Sequence, residues 1–177
     1  MKTPRAVVLV EGKSDAAAVE ALARRHGRDL AAERVAVIPI GGAQAIRRAL
    51  ARHAGAAVTG LCDEQEAPEF RRALGAATDE ELAERGFFVC RSDLEDELIR
   101  ALGVENVERV LEREGDLRGF RTLQKQPQWH GRPPHEQLRR FMGSGGRRKV
   151  RYASLLVEAL PVDRIPRPLE AVLAAVR

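Results

Sequence analysis

No stretch of this sequence stays apolar for the roughly 20 residues that a membrane span needs, and its beginning lacks the apolar core of a secretory signal. The cytoplasm is therefore the expected location, with no membrane partner. Cysteine is almost absent. Cys62 and Cys90 are the two present, and neither a disulfide nor a structural zinc site, which needs four ligands at close spacing, has support from them. Each closes an apolar run, where a free thiol behaves as a small hydrophobe. There is no internal repeat and no long low-complexity tract. These absences leave a globular chain of 177 residues, 44% hydrophobic and 32% charged. That is enough for one domain, or one domain with a small appendage.

Charge is plentiful and unevenly placed. The net charge is only +4, yet residues 61–116 carry 17 acidic side chains against 7 basic, and residues 117–151 carry 10 basic against Glu136 alone. An acidic pocket beside a surface able to hold phosphates is one expectation from this asymmetry; solvated helix faces are the bland alternative for any single residue.

The aliphatic run 6–10 ends abruptly at Glu11-Gly12-Lys13-Ser14-Asp15. It reads as a buried strand feeding a helix over 15–26, with Ser14 as N-cap and Gly27 as the stop. A second strand is expected at 35–40, then Gly41-Gly42 and a helix over 43–53 with Ile46 and Leu50 on one face. The apolar run 56–61 stops at Asp63. Short helices follow at 70–74 and 79–85, a strand at 87–90, and a helix that starts from Asp93-Leu94-Glu95-Asp96-Glu97 and runs to Leu102. Strands alternating with helices imply an α/β fold with a mainly parallel sheet. Beyond Gly103 the pattern turns helical, at 104–113, 117–125, 134–142, 150–160 and 169–176. Gly143-Ser144-Gly145-Gly146 reads as a flexible connector, and Trp129 to Pro134 as an irregular loop.

With strands one, three and four parallel, Glu11, Asp63 and the Asp93/Glu95 cluster emerge at one edge of the sheet, on strands about 4.8 Å apart. Ligands bind at that edge in open α/β sheets. Carboxylates so close repel one another and should show raised pKa values, so a cation is expected among them. Magnesium, held by one or two carboxylates with water and phosphate, fits that chemistry.

Val10-Glu11-Gly12 and the later Asp63 resemble the Toprim domain, whose hallmark is a Glu after the first strand and an Asp-x-Asp pair after a later one. The ordered set Glu11-Gly12-Lys13-Ser14-Asp15, Gly41-Gly42, Asp63, Asp93-Leu94-Glu95-Asp96-Glu97, Lys149 before Tyr152-Ala153, and Ile165-Pro166-Arg167-Pro168-Leu169 is similar to the Toprim nuclease part of the OLD (overcoming lysogenization defect) family. The resemblance implies a Toprim-like α/β core over 1–103, with a helical part over 104–177 packed on it and carrying Lys149. It also implies metal-dependent hydrolysis of DNA phosphodiesters with Mg2+ or Mn2+, in a two-ion arrangement of roughly 3.5–4 Å spacing. Glu11 and Asp15 would share one ion, and Asp63 and Glu95 would bridge or hold the other. Asp93 is a further metal ligand behind Glu95, or, like Glu97, only biases a helix N-terminus. Lys149 would face the charge developing on phosphorus, and Arg147, Arg148 and Arg151 would position the substrate backbone. Catalytic roles thus fall to Glu11, Asp63 and Lys149.

Gln65 stands where the second Asp of the hallmark is expected. Glu66 or Glu64 would then supply the missing ligand, or one metal site is weakened; the reach of Glu66 back toward the cluster favours it. No G-x-x-x-x-G-K-[ST] element is present, so ATP dependence would need a separate ATPase partner. A Toprim-like module that binds nucleic acid or such a partner without cutting is the alternative reading. Nucleotidyl transfer, as in primases, shares the metal logic but lacks its accompanying elements. Among the remaining candidates, Gly41-Gly42 suits a tight turn or a phosphate approach. His130 and His135 are expected in solvent, and Trp129 either stacks on a base or packs in the core.

Overall fold

A computed structural model describes residues 3–177. Its first half alternates β1 (Ala6–Val10), α1 (Lys13–Arg25), β2 (Val35–Pro39), a 3-10 turn at Ala43–Ala45 running into α2 (Ile46–Arg52), β3 (Ala57–Asp63), α3 (Ala67–Leu74), α4 (Asp79–Glu84) and β4 (Phe87–Cys90). The second half is helical: α5 (Leu94–Leu102), α6 (Val104–Arg113), α7 (Leu117–Gln124), α8 (Pro134–Met142), α9 (Gly146–Ala159) and α10 (Arg167–Ala174). The four strands are parallel in the order β2-β1-β3-β4. This is the α/β arrangement that the strand-helix alternation requires.

β1 is continuous apolar sequence because both of its faces are covered; all five of its residues are fully buried. Val7 and Leu9 meet Ile46, Phe70, Leu82 and Phe87 on one side. Ala6, Val8 and Val10 face the larger core on the other, which α1 shares with Phe120, Leu138, Tyr152, Leu156 and Leu169. Small side chains on α1, among them Ala18 and Ala21 at 0% exposure, let α9 lie along it. Arg25 donates to the Val157 carbonyl and Ser154 Oγ to that of Ala17, which fixes the pairing.

Gly60 sets the spacing of the sheet. A Cβ there would lie 2.5 Å from the Leu9 carbonyl oxygen and 2.7 Å from the Phe87 ring, so no larger residue fits between β1 and β4.

Of the boundaries that differ from expectation, three are explained by local contacts or sequence. Gly12, not Ser14, caps α1, because Asp15 reaches back and accepts from the Gly12 N–H at 2.8 Å; Ser14 is thereby inside the first turn. α3 begins at Ala67, three residues early, with Pro68 in its first turn, where a missing N–H costs nothing. α9 begins at Gly146 rather than residue 150, so the glycine connector is shorter and Lys149 is helical. Basic residues oppose the macrodipole at a helix start. Here acidic partners offset this: Arg148 lies 3.6 Å from Asp116, Lys149 lies 3.6 Å from Glu95, and Arg151 pairs with Glu114.

Candidate metal centre at the sheet edge

The parallel topology delivers the acids to one place. β1 ends at Val10 and presents Glu11; its neighbour β3 ends at Asp63; β4 ends at Cys90, and after two residues Asp93 caps α5 through the Asp96 N–H at 2.8 Å. On the β2 side, Gly41 and Gly42 turn with φ of 79° and 108°, and Gly41 N–H donates to the Glu11 carbonyl at 3.0 Å. Glu11, Asp15, Asp63, Asp93, Glu95 and Lys149, with the two glycines, line one cavity of about 300 Å3.

Burial dominates its electrostatics. The Glu11 carboxyl is pushed up to about 9, first by burial, then by the Glu66 carboxyl against it and by the charge of Asp63, while an N–H bond from Asp63 opposes the rise. Burial followed by Asp15 and Asp93 pushes Asp63 up to about 7. Glu95 is likewise raised to about 7 by burial, against the opposing pull of Lys149. Asp15 is raised by burial, with the Gly12 N–H and Lys149 opposing. The carboxylates thus sit in a partly buried pocket that disfavours their charge.

The donor set suits a hard divalent cation, which takes oxygen ligands. Glu66 Oε2 and Glu95 Oε1 are buried without any hydrogen-bond partner, and the Lys149 ammonium stands 3.6 Å from Glu95 Oε1, so both oxygens keep lone pairs that a cation could take. Other oxygens are already engaged: Glu11 Oε1 by Asp63 N–H, Asp15 Oδ2 by Gly12 N–H, and Asp93 by Asp96 N–H and the Arg139 guanidinium. Among the described residues no three His, Cys, Asp or Glu side chains close into a cage about one point.

Gln65 is exposed and Glu66 half-buried, so the side chain turned toward Glu11 is Glu66. Glu64 instead accepts from the Ser92 N–H at 3.0 Å, and Glu97 accepts from the Arg91 N–H. Of the three arginines assigned to the substrate backbone, Arg148 and Arg151 are drawn to Glu114 and Asp116, while Arg147 is exposed.

Arg139 at Asp93 was not foreshadowed by any local pattern, because the pair closes over 46 residues. His130 is exposed, as expected. His135 is not free in solvent but lies 2.6 Å from Asp96. Trp129 is outside the core, half-buried beneath the Arg132 guanidinium. It walls a second cavity of about 640 Å3 that shares Asp93, Glu95 and Lys149 with the first. Cys62 and Cys90 are buried free thiols whose pKa values burial raises.

A parallel sheet in the order β2-β1-β3-β4, with acids at its carboxyl edge and a helical C-terminal layer, is the Toprim class of α/β fold. Residues 4–64 match the family model described as "Overcoming lysogenization defect protein-like, TOPRIM domain". The C-terminal region of the Burkholderia pseudomallei OLD protein superposes with a TM-score of 0.74 at 20% identity, covering 99% of this chain and 98% of that one. Two structures of the C-terminal region of the Xanthomonas campestris pv. campestris OLD protein are similar. One has a TM-score of 0.72 at 20% identity and covers 99% of this chain and 95% of its own; the other has 0.71 at 23%, covering 98% and 92%. No curated protein matches the chain in sequence. Residues 4–64 thus match an OLD-like Toprim domain in sequence, and the fold is shared along nearly the whole length of the chain with OLD C-terminal regions.

Proposed function

We propose that this protein is a divalent-metal-dependent nuclease that hydrolyses DNA phosphodiesters. The observation that carries the reading is the convergence of Glu11, Asp15, Asp63 and Glu95 with Lys149 in one small cavity. Glu11, Asp15, Asp63, Glu95 and Glu66 would hold two Mg2+ or Mn2+ ions, which when bound supply the charge that activates water and offsets the leaving oxygen. Asp93, already spanning a helix cap and Arg139, orients the start of α5 and adds negative charge to the wall. Lys149 keeps its ammonium at the cavity for the charge that develops on phosphorus. Arg147 meets the substrate backbone, with Arg148 and Arg151 behind it. The division at Gly103, a cytoplasmic location and a separate ATPase partner belong to the same reading. No described helix is long and apolar enough to cross a membrane.

A second reading, a Toprim module that binds DNA or a partner ATPase without cutting, is favoured by the engaged oxygens and the lack of a closed cage among the described residues. Incubating supercoiled DNA with the protein separates the two. Nicking with Mn2+ that EDTA abolishes, and that Glu11→Ala lacks, supports the nuclease. Salt-sensitive binding without any cutting supports the module.

A further inference from the structure

The chain has one tryptophan, and the fold keeps it out of the core. Large aromatic rings are usually well covered. Trp129 is instead half-buried on the loop between α7 and α8, where it walls the cavity of about 640 Å3 that shares Asp93, Glu95 and Lys149 with the metal centre. The Arg132 guanidinium stands 5.1 Å from the ring centroid but does not line that cavity, so it does not occupy the cavity's side of the indole.

The loop that carries the ring is fixed from below. Gln137 is 4% exposed; its Nε2 donates to the Trp129 carbonyl at 2.7 Å, and its Oε1 accepts from Gln124 Nε2 at 2.7 Å. Burying an amide is costly unless its hydrogen bonds are made. Here one of those bonds goes to the backbone of Trp129 itself, so α7 and α8 together hold an otherwise exposed loop in one position. A binding platform gains from such preorganisation.

The charges of the wall point the same way. Each of its acids stands beside a cation: Asp93 by Arg139, Glu95 by Lys149, Asp96 by Arg100 and Glu136 by Arg132. Arg140, exposed on the same wall, has no acid partner among the described residues. Compensated acids, an aromatic wall and a free guanidinium suit a flat, uncharged ring joined to a phosphate better than they suit another metal ion.

We propose that this cavity seats an unpaired nucleobase of the substrate, stacked on Trp129, from a nucleotide adjoining the phosphate at the acidic centre. The assignment rests on the nuclease reading for what occupies that centre. A base shows its face to an indole only when it has left its own stack, so the preferred substrate carries single-stranded or unpaired nucleotides beside the cut.

Because Trp129 is the one tryptophan, its own fluorescence reports the contact. A single-stranded oligodeoxynucleotide, titrated in EDTA so that no cutting occurs, should quench the emission. An abasic strand of equal length, with the same phosphates, should not, and a blunt duplex should do so only weakly. With a fluorescein-labelled strand, Trp129→Ala should weaken binding about 10-fold and leave the log-log salt slope unchanged, since no phosphate contact is lost. Trp129→Phe should keep most of the affinity. Equal quenching by the abasic strand or by the blunt duplex, no quenching at all, or full affinity in Trp129→Ala overturns the base site. Nicking of supercoiled DNA with Mn2+ is scored apart: a wild type that never nicks defeats the nuclease reading, while the quenching in EDTA still decides whether a base stacks on Trp129.

Discussion

The backbone N–H of Asp63 donates to Glu11 Oε1 at 2.8 Å, tying the end of β3 to the first acid after β1. One carboxylate therefore both locks the sheet edge and faces the cavity. Glu11→Gln preserves an acceptor for that N–H but removes the charge. Divalent-dependent nicking should fall by at least ~100-fold, the usual scale for losing a centre's electrostatic support. The melting temperature in EDTA should hold or rise, because the neutral amide occupies the buried site without the proton uptake that the raised Glu11 carboxyl requires on folding. A plasmid-nicking assay beside a thermal melt checks both. Activity within a few-fold of wild type refutes the metal role.

Stability without metal should fall as pH rises. Glu11 has an ordinary value of 4.5 and is raised to about 9; Asp63, ordinarily 3.8, and Glu95, ordinarily 4.5, reach about 7. Between each pair of values the folded protein holds the proton and the unfolded chain does not, so folding weakens with increasing pH. The contribution is complete below about pH 4 and lost as pH passes 7 for Asp63 and Glu95, then 9 for Glu11. Melts in EDTA should therefore decline from pH 5 to pH 9. Mg2+ or Mn2+ should flatten that decline by favouring the ionised carboxylates. A melting temperature that climbs across this range in EDTA contradicts the picture.

Glu66 has one buried oxygen unpartnered and its carboxyl against Glu11; in the proposed centre it would take the position that Gln65 leaves unfilled. Glu66→Gln should lower nicking about 10-fold and raise stability in EDTA, since it removes one of two adjacent acids. Gln65→Asp, at an exposed site, should change stability by no more than about 0.5 kcal/mol and leave the rate within a few-fold. A large gain from Gln65→Asp would show that the missing hallmark acid, and not Glu66, limits the centre.

Lys149 lies 3.6 Å from Glu95 and lowers the pKa values of Asp15, Asp63 and Glu95. Replacing it with Met should reduce nicking by about 100- to 1,000-fold. It should also move the pH midpoint of metal binding upward, because the three carboxylates lose the cation that helps them ionise. Manganese titrations at several pH values read that shift, which a purely structural lysine would not produce.

Strand sites were legible because β1 and β4 are covered on both faces and so spell unbroken apolar runs, and alternation with helices then dictated a parallel sheet that carries Glu11 and Asp63 to one edge. The inward turn of Glu66 was foreshadowed only by its length. It depends on the turn after Asp63, where Glu66 N–H donates to the Asp63 carbonyl at 3.0 Å and α3 begins one residue later. Local sequence also hid Arg139 on Asp93 and the early start of α9, since both depend on charges far away in the chain. Ser14 looked like a cap until Asp15 took that task at Gly12.

Gly60 links the packing of the sheet to the chemistry at its edge. A methyl group there would press 2.5 Å from the Leu9 carbonyl oxygen and 2.7 Å from the Phe87 ring, so Gly60→Ala must push β3 away from β1 or displace the ring. Overpacking of this kind costs about 1–3 kcal/mol, or several degrees of melting temperature in a chain of this size. Any parting of β3 from β1 also stretches the Asp63 N–H bond to Glu11, three residues on. Nicking should therefore decline at temperatures where the variant is still folded. Adding Phe87→Leu should recover part of the stability by freeing space on the β4 side, yet leave the Leu9 carbonyl clash and hence part of the activity loss. Full recovery of both by the double variant would show that the ring alone, not the β1–β3 spacing, connects Gly60 to the site.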